Sequence, residues 1–253
     1  MPSSAFPDRF ERTALLYGDD GFRRIRAARV LILGLGGVGS HAAVGLARAG
    51  TGTLELVDFD TVTASSLNRH PCARIQDIGR PKTTVLGDFL RDTCPDTAVI
   101  ERQEFFHDDT ADALLAPAPD FVIDAIDALN PKVSLLAQCL EQGLAVGSSM
   151  GAAMHVDASQ VRVGDIRDTR DCPLAARVRK MLRRRGYASG VRCVWSGEKH
   201  PARPLPPDDD PRYDRGRVRN TLPSSMSIPA VFGFALASEA LSHLSSHDRN
   251  HHA

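Results

Sequence analysis

The chain has 253 residues, 42% hydrophobic and 25% charged, enough for one large buried core or two small ones. Lys plus Arg and Asp plus Glu balance at 31 each, so no global field draws the molecule toward nucleic acid or membrane. Five scattered cysteines (Cys72, Cys94, Cys139, Cys172 and Cys193) include no C-x-x-C pair, which argues against a disulfide framework or structural zinc and predicts small, buried, inert thiols.

The first ten residues lack the basic and apolar regions of a signal peptide, so a cytoplasmic chain is expected. Residues 30–33 form a short aliphatic run and read as a buried strand. Gly34, Gly36 and Gly39 follow as G-x-G-x-x-G, and residues 38–49 can wind a helix closed by Gly50. Glycines let the backbone approach a ligand closely, and free N–H groups at a helix start favour phosphate. This turn predicts a phosphorylated nucleotide, either NAD or ATP.

A second strand at 53–57 ends in Asp58 and Asp60. Residues 79–94 have helical periodicity, with Val85, Leu86, Phe89 and Leu90 on one face. Then come a strand at 98–101, a helix at 108–115, a strand at 121–123 ending at Asp124, a helix at 128–142 and a strand at 144–147. The rhythm predicts an α/β, Rossmann-like, mostly parallel sheet with helices on both faces.

Beyond Gly151 the rhythm changes to a C-terminal strand and helix extension. Strands at 161–163 and 191–195 flank a basic helix at 173–185, and a polar loop with five prolines occupies 197–220. An apolar helix closes the fold at 225–244; its most apolar part, 226–241, is short for a membrane span and carries Glu239, so no membrane role is expected. Residues 1–244 are expected to form one domain. Residues 245–253, with His247, His251 and His252, read as a frayed tail in which solvated disorder outweighs metal binding.

The residues after the glycine turn bear on the ligand. An acid about 20 residues past the glycines, here Asp58, commonly holds ribose hydroxyls. Asn68 and Arg69 follow it, Lys82 starts the next helix, and Asp127 follows the strand at 121–123. Two cations and several acids around a glycine cradle suit a triphosphate with magnesium, an arrangement that hydride transfer does not need. ATP is thus favoured, with an NAD-dependent oxidoreductase and a nucleotide-sensing scaffold as alternatives. Ser40 reads as a helix N-terminal residue rather than a nucleophile. Arg177, Arg179, Lys180, Arg183, Arg184 and Arg185, joined by Arg212, Arg215, Arg217 and Arg219, form either a solvated face or a surface for a nucleic-acid backbone.

As an ordered set, Gly34-Leu-Gly-Gly-Val-Gly-Ser40, Asp58-x-Asp60, Leu67-Asn68-Arg69, Gly79-x-x-Lys82 and Asp124-Ala-Ile-Asp127 resemble the adenylation fold of ubiquitin-activating-enzyme-like proteins, the ThiF, MoeB and HesA group. The resemblance implies that Gly36, Gly37 and Asp58 hold adenosine and phosphates, that Asn68, Arg69 and Lys82 line the triphosphate, and that Asp127 holds or positions magnesium. Arg9-Phe-Glu-Arg12 resembles the segment that lends an arginine, here Arg12, to the partner subunit's ATP site. Within the group, Asp171-Cys-Pro-Leu-Ala-Ala-Arg177, Gly190-Val-Arg-Cys-Val-Trp-Ser196 and Ile228-Pro-Ala-Val-Phe-Gly-Phe234 are similar to the branch that dehydrates threonylcarbamoyladenosine in tRNA. That branch implies a tRNA substrate, ATP and Mg2+, a homodimer and a sulfur-relay protein partner. A sister branch, which adenylates the C-terminus of a ubiquitin-like sulfur carrier, is disfavoured by the missing zinc cysteines. The segment 219–225 lacks the cysteine that family members can carry there, which implies direct cyclisation rather than a thioester step.

Overall fold

The computed structural model describes residues 6–199 and 222–246. Its centre is a seven-stranded sheet of β1 (Arg29–Leu33), β2 (Thr53–Val57), β3 (Ala98–Arg102), β4 (Phe121–Asp124), β5 (Val146–Ser149), β6 (Val161–Asp165) and β7 (Arg192–Ser196). Their spatial order is β3-β2-β1-β4-β5-β7-β6, parallel throughout except for β6, which pairs with β7 antiparallel. The expected α/β sheet is therefore present, and only its last strand departs from the parallel rule.

Alternation along β1 divides the core in two. Val30 and Ile32 face one layer, made by α2 (Gly37–Ala49), α3 (Lys82–Thr93) and α7 (Ser227–Ser245), with α1 (Glu11–Ala27) packed on α7. Leu31 and Leu33 face the other, made by α4 (Asp108–Leu115), α5 (Leu129–Glu141) and α6 (Pro173–Arg184). Strand order reverses between β1 and β4, and a doubly wound sheet opens a ligand crevice there, beyond the carboxyl ends of the strands.

α7 has 19 residues, long and apolar enough to cross a membrane, which corrects the expectation that it is too short. It is nonetheless a core helix, because Phe232, Leu236 and Ala240 are fully buried. A Cβ at Gly233 would lie 2.4 Å from the Val38 carbonyl, so α7 and α2 touch backbone to backbone. Ser245, expected in the frayed tail, is the last residue of α7, and its carbonyl accepts a bond from Arg24. The remaining tail from His247, most of the proline loop and the cluster at Arg212 to Arg219 lie outside the described residues.

All five cysteines are free and buried, as expected. Burial pushes the thiols of Cys72 and Cys139 up to about 12 and that of Cys193 higher still, so none of the three forms the reactive thiolate at neutral pH.

Candidate active site

The glycine turn joins β1 to α2 at the crevice, and each glycine meets a different constraint. Gly34 has φ +89°, and a Cβ there would lie 2.7 Å from the Ala125 carbonyl. A Cβ at Gly39 would fall 1.8 Å from the Gly34 carbonyl, and one at Gly37 would press on Pro229 and Arg69. These three are needed for packing. Gly36 is different, because a Cβ there would meet nothing within 4 Å. Open space lies over the α2 N-terminus, which has no side-chain cap and no acid in its first turn. A helix start left this way suits a phosphate. Ser40 is fully buried and donates to the Gly36 carbonyl at 2.5 Å, a structural role as expected.

Asp58, expected to meet the ribose, has a structural task in the fold itself. Its Oδ2 accepts from the Leu35 amide at 2.6 Å and its Oδ1 from the Asp60 amide at 2.8 Å, so it ties the glycine turn to the loop after β2. Each oxygen keeps a second lone pair for a ligand hydroxyl. Burial raises the Asp58 pKa above the ordinary carboxylate value, against the opposing pull of Lys82 and the two amides. Lys82, at the first turn of α3, is held 2.7 Å from the Asp60 carboxylate.

The Arg69 stem lies over the glycine turn, with Cγ 3.2 Å from the Gly37 Cβ position, while its guanidinium donates to the Ser65 carbonyl and to Asn68 Oδ1. The Asn68 amide donates to the Ser224 carbonyl at 2.9 Å. The structure thus gathers Gly34, Gly36, Gly37, Gly39, Asp58, Asp60, Asn68, Arg69 and Lys82 around one crevice. Asp127 is exposed in the loop from β4 to α5, next to Ala125 and Ile126, which press on Gly34.

Arg12 does not join them. Phe10, two residues before it, packs on Gly50 at the far end of α2, and a 13-residue helix is roughly 20 Å long. Arg12 therefore cannot complete the crevice of its own chain. In α6 and the residue after it, Arg177, Lys180, Arg183, Arg184 and Arg185 are exposed, but Arg179 is a correction: its guanidinium is tied to the Thr169 carbonyl at 2.9 Å and to the Thr169 hydroxyl. The α6 N-terminus lies by Gly151, just past β5, and Arg183 to Arg185 sit at the opposite end of the helix, away from the crevice.

Two residues, Lys132 and His70, have roles that the sequence pattern does not disclose. Lys132 and Asp124 are fully buried and bonded at 2.5 Å, and the signal was a lysine within the apolar face of α5 beside Val133 and Leu136. His70 is the other. Its Nδ1 accepts from the amides of Cys72 and Ala73, so the proton sits on Nε2, which is buried without a partner among the described residues. Burial, with the charges of Lys82, His41 and Arg69 adding to it, lowers its pKa to about 4.

Burial of a neutral His70 makes the fold sensitive to acid. The unfolded chain takes up this proton near pH 6.5 and the folded chain only near 4, so the stability present above pH 6.5 is lost as pH falls through that window. The loss is expected to reach about 3 kcal/mol, from a shift worth 1.36 kcal/mol per pH unit. Thermal melts between pH 7.5 and 4 should show a shallower decline in a His70→Gln variant; parallel curves would contradict the assignment.

Among the described residues no three His, Cys, Asp or Glu side chains converge to hold a metal alone. Magnesium does not need such a cage, because it takes one or two carboxylates plus substrate phosphates. The residues present therefore fit a magnesium nucleotide.

Known proteins resemble this chain in sequence and fold. The chain is 34% identical over 234 residues to the tRNA threonylcarbamoyladenosine dehydratase of Bacillus subtilis, covering 90% of this chain and 91% of that one. It is 35% identical over 245 residues to tRNA threonylcarbamoyladenosine dehydratase 2 of Saccharomyces cerevisiae, but spans about half (54%) of that protein's length. Among solved structures, the tRNA N6-threonylcarbamoyladenosine dehydratase of Escherichia coli in complex with ATP superposes with a TM-score of 0.83, at 30% identity and 96% coverage of both chains. Residues 10–253, nearly the whole chain, match the ThiF family. The chain belongs to the ThiF family.

Proposed function

We propose that the protein uses ATP to activate the carboxylate of threonylcarbamoyladenosine in tRNA and closes it into a ring with net loss of water. The observation that carries this reading is the open space at Gly36, over an uncapped helix start and beside Arg69, in a chain whose relatives bear that activity in their names. ATP supplies a leaving group: a free carboxylate would have to expel oxide, whereas its adenylate expels AMP.

The chain's own groups then have separable tasks. The α2 N–H groups, Arg69 and Lys82 offset charge that develops on the phosphoryl oxygens, and the N–H groups, fixed by the helix, do so without reorganisation. Lys82 exchanges its bond to Asp60 for one to the nucleotide. Asp58 accepts from the ribose while still holding the glycine turn. Asp127, with the phosphates, would hold Mg2+.

Arg12 acts across a homodimer in this reading, since it sits at the wrong end of α2 for its own crevice. Leu15 and Leu16, 78% and 75% exposed on the same helix, supply an apolar surface for the second copy. The exposed cations of α6 hold the tRNA backbone, and the reaction belongs to the cytoplasm.

Release of AMP from ATP tests the substrate class directly. It is expected to rise with tRNA carrying threonylcarbamoyladenosine and not with a small protein ending in Gly-Gly. The reverse response would make the protein an activator of a sulfur carrier.

A further inference from the structure

Lys132, Asp124, Ser148 and Ser149 form a buried polar cluster under the crevice. Lys132, Asp124 and Ser148 are 0% exposed in a region otherwise built of apolar residues such as Val122, Val133 and Leu136. The Lys132 ammonium donates to Asp124 Oδ2 at 2.5 Å, to the Ser149 carbonyl at 2.9 Å and to Ser148 Oγ at 3.3 Å. Ser148 Oγ donates to the same Asp124 oxygen at 2.6 Å. Taking two charges out of water is expensive, and an apolar pair of similar volume often serves stability as well or better. Stability alone is therefore a weak account of this cluster.

Its geometry suggests another. The second Asp124 oxygen, Oδ1, accepts from the Ile126 amide at 3.1 Å, one residue before Asp127. Asp124 ends β4 and Lys132 lies in the first turn of α5, so their bond closes a short ring of chain with Asp127 inside it. The Ala125 amide donates to the Leu33 carbonyl at 2.8 Å, and the Ala125 carbonyl oxygen lies 2.7 Å from the position of a Gly34 Cβ. The ring is thus fixed to the glycine turn on one side and to the end of β5 on the other.

We infer that the Lys132–Asp124 pair is a positioning device that sets where Asp127 stands relative to the glycine turn, and through it the binding of the magnesium ion. The inference rests on the proposed use of Mg2+ and ATP. Neither Lys132 nor Asp124 touches substrate; each acts through the backbone of residues 125–127. Supporting partners of this kind typically change metal affinity by 10- to 100-fold when lost.

The test replaces the pair by apolar residues of similar volume, Asp124→Leu with Lys132→Met, in the full chain. Two quantities are measured: hydrogen exchange of the peptide spanning Ile126 and Asp127, and the Mg2+ concentration that half-saturates binding of a non-hydrolysable ATP analogue by calorimetry. Exchange should accelerate and half-saturating Mg2+ should rise about tenfold, while affinity for the analogue without Mg2+ stays within about twofold. A folded double variant with wild-type exchange and Mg2+ dependence overturns the inference. Should that variant not fold, Ser148→Ala removes one bond to Asp124 and is expected to raise half-saturating Mg2+ about two- to threefold; no change there overturns it equally. Wild-type protein that binds no ATP analogue would instead overturn the proposed function.

Discussion

Replacing Lys82 by alanine is expected to lower AMP formation by about 100-fold or more, the usual cost of removing one group that faces transition-state charge. The fold should survive. Lys82 is bonded to Asp60, whose side chain is 44% exposed, and a pair open to water on one side contributes only about 0–1 kcal/mol. Arg69→Ala should behave similarly, because its guanidinium bonds are to the exposed Ser65 carbonyl and to Asn68. Pyrophosphate release under saturating ATP and a thermal melt are the two readings required. Loss of activity with an unchanged melt supports the assignment, and full activity in either variant removes that residue from it.

Alanine at Gly36 and at Gly39 should have opposite consequences, although the two glycines stand three residues apart in one motif. At Gly39 the new methyl would sit 1.8 Å from a main-chain oxygen at the end of β1, which no rotamer change can relieve. Overpacking against backbone is expected to cost about 3 kcal/mol, a fall in melting temperature of about 10 °C for a domain of this size. At Gly36 the methyl meets open space, so the melt should match wild type within a degree or two. It would, however, occupy the volume into which a phosphate settles, and ATP affinity should fall on the order of tenfold, about 1.4 kcal/mol. A Gly36→Ala variant that binds ATP normally would place the nucleotide elsewhere.

This contrast also shows what the sequence could and could not disclose. The glycine spacing announced a nucleotide turn, because only such a strand, turn and helix needs glycine at all these positions. It did not separate Gly36, open to a ligand, from Gly39, which is there for the Gly34 carbonyl. Residues 144–147 read as the fifth strand because they are the apolar ones, yet the strand is Val146–Ser149. Ser148 and Ser149 look like loop residues until Asp124 and Lys132 supply their partners.

The bounds of the first long helix are hard to read for a related reason: Gly18, at φ 70° and ψ 158°, interrupts its periodicity and joins two shorter helical pieces. Lys132 and His70 were hidden because the polarity of a residue type says nothing of burial when tertiary partners do the satisfying. The position of Asp58 past the glycines points to a ligand acid, whereas its clamp on the glycine turn is set by two amides that meet it only after folding.

The identity of the substrate carboxylate decides what the protein does. Purified protein should be incubated with ATP, Mg2+ and tRNA carrying threonylcarbamoyladenosine, and the nucleosides analysed by mass spectrometry without base treatment, which would reopen an ester-like ring. The expected result is a modified adenosine lighter by the mass of one water, formed together with AMP. An unaltered nucleoside, with ATP consumed only when a small protein ending in Gly-Gly is present, would contradict it.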